Sequence, residues 1–144
     1  MIRKAEIQDV PVLTGLALSL WPDHTPGEMQ SELAKIIGKP DAAFFITYDE
    51  KTAIGFSQCQ LRYDYVEGTE SSPVGYLEGI YVAEAYRKQG IARKLLLACE
   101  KWAKTKGCAE FASDCELDNT QSLQFHLKAG FEEANRVICF TKKL

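Results

Sequence analysis

The sequence has no long apolar run and no beginning that resembles a leader peptide. No stretch of about 18 apolar residues, the length needed to cross a bilayer, occurs in its 144 residues. The first residues, M-I-R-K-A-E-I-Q-D, lack the apolar segment of a secretory signal. We therefore expect a cytoplasmic protein that has no membrane partner.

Residues that commonly bind metals are few and dispersed. There are two histidines, His24 and His126, and five cysteines without any C-x-x-C pair. A structural zinc site needs clustered Cys or His ligands, so we expect no metal. The odd cysteine count and the apolar surroundings predict reduced, partly buried thiols that act as small apolar side chains.

An excess of positive charge is also missing. The formal net charge is −3, and binding to a nucleic acid backbone needs a basic face, so we expect no nucleic acid partner. A cationic partner fits better. The mild acidity of an ordinary globular protein explains the same number, so net charge alone does not identify the partner.

Linkers, repeats and low-complexity tracts are absent, and this predicts a single domain over residues 1–144. An apolar content of 46% is enough for one core. Hydrophobic periodicity predicts the order β-α-α-β-β-β-α-β-α-β. Strands that first form hairpins and later alternate with helices indicate an α+β, three-layer α/β/α fold. We expect a mixed, mostly antiparallel central sheet with helices on both faces.

Local signals place these elements along the chain. Asp9, Thr25 with its capping box, Gly90 and Asn119 mark helix starts. A polar stretch at 62–75 predicts the end of a strand followed by a surface loop. Strands are expected at 2–7, 42–48, 53–61, 76–82 and 108–113, with one or two more at 131–142.

One strand-turn-helix segment, Y-L-E-G-I-Y-V-A-E-A-Y-R-K-Q-G-I-A-R-K-L-L from Tyr76 to Leu96, carries the most chemical information. Unpartnered N–H groups and a positive macrodipole at the helix start can hold a phosphate. The turn R-K-Q-G-I-A is neither a Walker loop nor a G-x-G-x-x-G fingerprint. By itself it is equally compatible with an ordinary basic helix start.

The combination of L-E-G-I-Y-V, R-K-Q-G-I-A, S-D-C-x-x-x-N-x-x-S and H-L-K-A-G-F-E-E resembles the GCN5-related N-acetyltransferase (GNAT) superfamily. Dispersed features such as L-W-P, R-Y-D-Y-V-E-G-T-E-S-S-P-V and G-F-E-E-A-N-R-V-I are similar to one subgroup, the aminoglycoside 6'-N-acetyltransferases. The resemblance implies acetyl-CoA as cosubstrate and a cationic aminoglycoside as acceptor. It also implies direct attack by the 6'-amine in a ternary complex, and antibiotic resistance as the outcome.

The resemblance assigns the cofactor-binding residues one by one. Backbone groups of the strand would pair with the pantetheine arm at Ile80, Tyr81 and Val82. The turn would bind the pyrophosphate at Lys88, Gln89, Gly90, Ile91, Ala92 and Arg93. Asn119 would touch the cofactor while it also caps a helix.

Two residues are candidates for proton transfer. Glu78 interrupts an apolar strand just before Gly79, where its carboxylate would bind the acceptor ammonium and accept a proton, directly or through water. The alternative is a carboxylate that faces solvent. His126 stands where many family members have a tyrosine that protonates the CoA thiolate; the alternative is a histidine that only packs.

The resemblance brings Trp21, His24, Tyr65 and Asp114 to the acceptor pocket. Their alternatives are a core tryptophan, two solvent-facing side chains and an ordinary turn aspartate. Asn135 departs from the subgroup, which places a carboxylate there to help bind the cationic drug. Glu132, Glu133 or a loop acid such as Asp64, Glu67 or Glu70 would have to supply that charge.

Other functions stay open at this point. One is acetylation of another small amine or a polyamine, which would keep the cofactor motif and differ in the acceptor residues. Another is a catalytically silent acetyl-CoA-binding module. The resemblance further implies a homodimer through C-terminal strands, with which the apolar run 137–140 is compatible.

Overall fold

Five strands form one sheet whose spatial order is the order along the chain. The computed structural model describes residues 1–144. The first four strands pair antiparallel and the last pair is parallel, so the sheet is mixed. The strands are β1 (Ile2–Lys4), β2 (Ala42–Asp49), β3 (Thr52–Arg62), β4 (Val74–Val82) and β5 (Phe111–Ala112). The helices are α1 (Val10–Leu20), α2 (Pro26–Ile36), α3 (Ile91–Thr105) and α4 (Thr120–Lys128).

Helices cover both faces of the sheet because the central strands alternate apolar side chains to either side. Phe44 and Ile46 of β2 lie in one buried cluster with side chains of α1 and α2, such as Leu13 and Met29. Ala43, the neighbour of Phe44, lies in a second cluster with side chains of α3. The predicted α+β fold with helices on both faces is confirmed.

The predicted helix starts differ in how they are capped. The Thr25 hydroxyl accepts a hydrogen bond from the Glu28 N–H at 3.2 Å, and the Glu28 carboxylate accepts one from the Thr25 N–H at 3.4 Å. This is the predicted capping box. Asp9 occupies the N-cap position of α1, but its side chain does not cap that helix and instead accepts from the Glu6 N–H at 2.8 Å. Arg3 donates to it at 2.7 Å, and this pairing lowers the pKa of Asp9.

The C-terminal strand predicted for residues 131–142 is wrong, because residues 131–144 contain no helix or strand. A strand needs a neighbour with which to exchange backbone hydrogen bonds, and the sheet ends at β5. Val137, Ile138 and Phe140 remain 71%, 81% and 87% exposed. The segment therefore has apolar side chains suited to a strand, but no strand of this chain pairs with it.

Two other expectations were too broad. The first strand stops at Lys4 and is followed by a 3-10 turn, Ile7–Asp9, while the strand predicted for 108–113 is reduced to Phe111–Ala112. All five cysteines are free, but Cys115 and Cys139 are exposed. None of the helices is both long enough and apolar enough to cross a lipid bilayer.

Candidate active site

The sheet opens between β4 and β5. The parallel ladder consists of two residue pairs, Gly75 with Phe111 and Tyr76 with Ala112. Beyond Tyr76, residues 77–82 of β4 face no strand on this side. Backbone groups that point into the opening can therefore bind an extended ligand as if it were another strand. The predicted pantetheine-binding residues 80–82 lie on this edge.

A β-bulge lies at Glu78. Gln58 of β3 pairs with Gly79, whereas Cys59 pairs with Leu77, so Glu78 has no partner in β3. A bulge bends the strand and changes the direction of the side chains beside it. The one carboxylate of β4 thus sits where the strand departs from regular pairing, next to the opening.

The turn that follows β4 leaves the start of α3 uncapped. Arg87 anchors the turn by donating from Nε to the Val82 carbonyl at 2.7 Å. Gly90 has a φ of +79°, and no side chain caps α3. A Cβ at Gly90 would meet no atom within 4 Å. Free N–H groups, basic neighbours and open space together suit an anionic group such as the pyrophosphate of CoA.

The remaining cofactor candidates also hold the fold together. Arg93 Nη1 donates to the Lys128 carbonyl at 2.9 Å, which ties α3 to the end of α4. Asn119 caps α4 by accepting from the Ser122 N–H at 3.0 Å. The cap was predicted from the sequence, and neither contact prevents these residues from also touching a ligand.

Two acidic candidates, Glu78 and Asp114, are joined through two residues that sequence reasoning missed. Arg62 binds the Glu78 carboxylate, from Nη2 at 2.9 and 3.0 Å and from Nε at 3.1 Å. The Arg62 guanidinium carbon lies 3.4 Å from the centroid of the Tyr76 ring. The Tyr76 hydroxyl donates to Asp114. We call these four residues the carboxylate cluster.

Tyr76 remains protonated in this cluster. Burial raises its pKa above the ordinary tyrosine value, and the hydrogen bond to Asp114 raises it further. The phenol therefore acts as a donor to Asp114. Its sequence signal was its position, two residues before Glu78 on the same strand, but that spacing does not reveal that Arg62 lies between them.

Trp21 lies directly against β4 beside Glu78. A Cβ at Gly79 would come within 2.6 Å of two atoms of the Trp21 ring, so only glycine leaves room for the indole here. The ring also packs edge-on against Phe56, with centroids 6.0 Å apart. His24 is exposed in the same turn between α1 and α2. The core and pocket interpretations of Trp21 are thus both compatible with its position.

Tyr65 lies in the loop 63–73, which is fastened at two points. Val66 is buried against Val74 and Tyr76. Glu110, just before β5, accepts hydrogen bonds from the Glu70 N–H at 2.9 Å and from the Ser71 hydroxyl. The Tyr65 side chain is exposed and borders a cleft of about 360 Å³ that Arg62 also lines. The loop thereby extends the carboxylate cluster into an open cleft.

His126 is held at both ring nitrogens. Nδ1 lies 2.7 Å from the Ser122 carbonyl, and Nε2 lies 2.8 Å from the Ser113 hydroxyl. A carbonyl only accepts, so Nδ1 carries a proton and Nε2 of the neutral ring accepts from Ser113. The Ser113 oxygen is 3.5 Å from the Leu77 carbonyl at the opening. Ser113, a motif residue to which the sequence assigned no role, therefore stands between His126 and the opening.

Asn135 contacts the loop from the C-terminal segment. Its Nδ2 donates to the Glu67 carboxylate at 3.1 Å. Of the acids considered as replacements for a carboxylate at position 135, Glu67 is thus the one that lies beside it. Glu133 instead pairs with Arg136.

The family model described as "Acetyltransferase (GNAT) family" matches residues 12–131. The chain belongs to the GNAT acetyltransferase family. This GNAT chain is 42% identical to the aminoglycoside N(6')-acetyltransferase type 1 of Serratia marcescens, a match that covers 100% of the chain and 99% of the relative. The resemblance predicted from the sequence motifs is confirmed.

Solved structures agree with this membership. AAC(6')-Iy in complex with the bisubstrate analogue CoA-S-monomethyl-acetylneamine has a TM-score of 0.95 and 38% identity, covering 100% of this GNAT chain and 98% of that one. The 6'-N-acetyltransferase AAC(6')-Ih from Acinetobacter baumannii has a TM-score of 0.92 and 38% identity, covering 100% and 98%. No group of three or more His, Cys, Asp or Glu side chains in this GNAT chain is arranged to hold a metal.

Gly79→Ala tests the packing of Trp21. The added methyl group overlaps the indole, which is already packed edge-on against Phe56. We expect a loss of about 1–3 kcal/mol in the free energy of unfolding, the usual cost of overpacking, measured by urea denaturation. Gly15→Ala is the control, since a Cβ there meets nothing within 4 Å. Equal stability of the two variants would contradict the assigned contact.

Proposed function

We propose that this protein transfers the acetyl group of acetyl-CoA to the 6'-amine of aminoglycosides and thereby confers resistance. The observation that carries the proposal is the β4 edge left unpaired beyond Tyr76, with Glu78 and Asp114 beside it. The names and similarity of the full-length relatives support it. The cytoplasm is the expected location.

The proposed reaction is direct transfer within a ternary complex. Bound acetyl-CoA supplies an activated acetyl thioester. The amine nitrogen forms a bond to the carbonyl carbon while the carbon–sulfur bond breaks, and the electron pair of that bond stays on sulfur. Before the attack, Glu78 binds the ammonium and accepts one proton, which frees the nitrogen lone pair; the second proton that the nitrogen loses as the amide forms passes to solvent. Backbone N–H groups near the bulge, between Gly79 and Tyr81, polarise the carbonyl.

The sulfur receives its proton through Ser113 and His126 in this proposal. When the imidazole is protonated, Nε2 becomes a donor to the Ser113 hydroxyl at their separation of 2.8 Å. Ser113 passes its own proton toward the opening and takes one from His126. The carbonyl of Ser122 keeps Nδ1 protonated throughout, so Nε2 is the nitrogen that exchanges.

The acceptor pocket is formed by the carboxylate cluster, the turn that holds Trp21 and His24, and the loop that holds Tyr65. Asp114 binds a second ammonium group of the polycationic substrate. The aromatic faces of Trp21 and Tyr65 stack on its sugar rings. Both aromatic residues lie beside the carboxylate cluster, Trp21 across Gly79 and Tyr65 along the cleft that Arg62 lines.

Glu67 supplies the acceptor charge that Asn135 lacks. The amide of Asn135 is neutral and donates to the Glu67 carboxylate. A carboxylate therefore remains within hydrogen-bonding distance of position 135, now carried by the loop rather than the C-terminal segment. It is exposed, so its attraction for a cation is moderate and screened by salt.

Glu67→Gln should raise KM for neomycin about two- to fivefold with little change in kcat, as expected for loss of one exposed ionic contact. Steady-state kinetics with saturating acetyl-CoA measure this. Glu70→Gln is the matched control, because it removes the same charge from the same loop at a position where the carboxylate makes no hydrogen bond or ion pair. If the two variants raise KM equally, Glu67 has no special part in binding.

We also propose that the chain forms a homodimer through its C-terminal segment. The exposed apolar side chains at 137–140 have the composition of a strand, and a second copy would provide a pairing neighbour. Burying them against a partner removes apolar surface from water. Sedimentation equilibrium should return twice the chain mass, and removal of residues 137–144 should return the monomer mass.

The decisive experiment compares neomycin, which carries a 6'-amine, with paromomycin, which carries a 6'-hydroxyl, by release of the CoA thiol. We expect turnover of neomycin only, because the reaction needs an amine at that position. Turnover of both would contradict the 6' assignment. Turnover of neither, when CoA binding is shown separately by calorimetry, would favour another amine or a silent cofactor-binding module.

A further inference from the structure

We infer that Arg62 is a positioning residue that orients the Glu78 carboxylate toward the acceptor amine. The inference rests on the proposed role of Glu78 and extends it to a residue that does not react. It comes from one contact in the carboxylate cluster. The Arg62 guanidinium, a permanent cation, is already bound to the Glu78 carboxylate, which is proposed to bind the substrate's ammonium.

Counting lone pairs shows what Arg62 leaves free. A carboxylate offers about four lone-pair sites, two on each oxygen. Oε1 of Glu78 accepts two hydrogen bonds from Arg62, and Oε2 accepts one. One site on Oε2 therefore remains for the acceptor. A carboxylate that rotated freely would present either oxygen in many directions.

The guanidinium is itself held in place. Its carbon lies 3.4 Å from the centroid of the Tyr76 ring, and Tyr76 is 6% exposed, with its hydroxyl bound to Asp114. Glu78 needs such support because it lies at a bulge and has no paired neighbour in β3. Only a planar fork can stack on a ring and bind both carboxylate oxygens at once, which lysine cannot do.

The positive charge of Arg62 indicates that this residue orients the Glu78 carboxylate and does not increase the affinity for a cationic substrate. Two carboxylates and one guanidinium leave the cluster with a single net negative charge. If the cluster served only to attract a polycation, Arg62 would weaken it. Removing Arg62 should therefore leave the electrostatic attraction for the drug intact or stronger, while the reacting geometry is lost. These two effects separate into KM and kcat.

The test uses Arg62→Met and Arg62→Lys in the full chain, with neomycin as acceptor. We expect kcat to fall roughly ten- to a hundredfold in both, the scale of a misplaced catalytic group, with KM for neomycin unchanged or lower. Wild-type kcat in Arg62→Lys would overturn the inference, because charge alone would then suffice. A lower KM with unchanged kcat in both variants would overturn it too, since Arg62 would then only compete with substrate.

Glu78→Gln separates this inference from the proposed function. If Glu78→Gln keeps the wild-type kcat, the role of Glu78 is wrong whatever Arg62 does. If it lowers kcat, Arg62→Met should lower kcat no further in the Glu78→Gln background, because Arg62 acts through that carboxylate. A full additional loss in the double variant would contradict positioning. Thermal melts and CoA binding at wild-type values establish that each variant is folded.

Discussion

The loss of pairing between β4 and β5 after Tyr76 is the constraint on which the rest of the site depends. A parallel ladder of two residue pairs holds the two strands together at one end, and the other end of β4 has no neighbour on the β5 side. Polar backbone groups do not stay unpaired in a dry interior, so the opening must face water or a ligand. The bulge at Glu78 lies on β4, and the uncapped start of α3 lies in the turn that follows β4. A carboxylate and a group of free N–H donors are thus placed one after the other along the opening.

Features encoded within a few residues were predictable from the sequence. The capping box at Thr25, the Asn119 cap and the hairpin of β2 and β3 depend on neighbours along the chain, and each formed as expected. Asp9 marks the start of α1 as expected, but its side chain does not cap that helix, because Arg3 and the Glu6 N–H bind its carboxylate. The prediction of a C-terminal strand was wrong for a different reason. An alternating apolar pattern indicates that a segment can pair as a strand, but it does not indicate which strand it would pair with.

Several residues proposed for the site also hold the fold together. Arg93 joins α3 to α4, Asn119 caps a helix, and Trp21 fills the space left by Gly79. The alternatives weighed from the sequence, packing against function, therefore do not exclude each other at these positions. Arg62 and Tyr76 were not predicted as site residues because their contact depends on the register of β3 against β4. A long loop joins these strands, and local sequence patterns do not encode that register.

The two buried clusters on opposite faces of the sheet support different parts of the site. Trp21 and the turn it belongs to pack on the α1–α2 side, whereas the helix that opens the anion site packs on the other side with Cys99 and Trp102. The buried side chains of one cluster are separated from those of the other by the sheet. Substitutions in the turn that holds Trp21 can thus reshape the α1–α2 face of the pocket while the side chains that pack beneath the start of α3 stay the same.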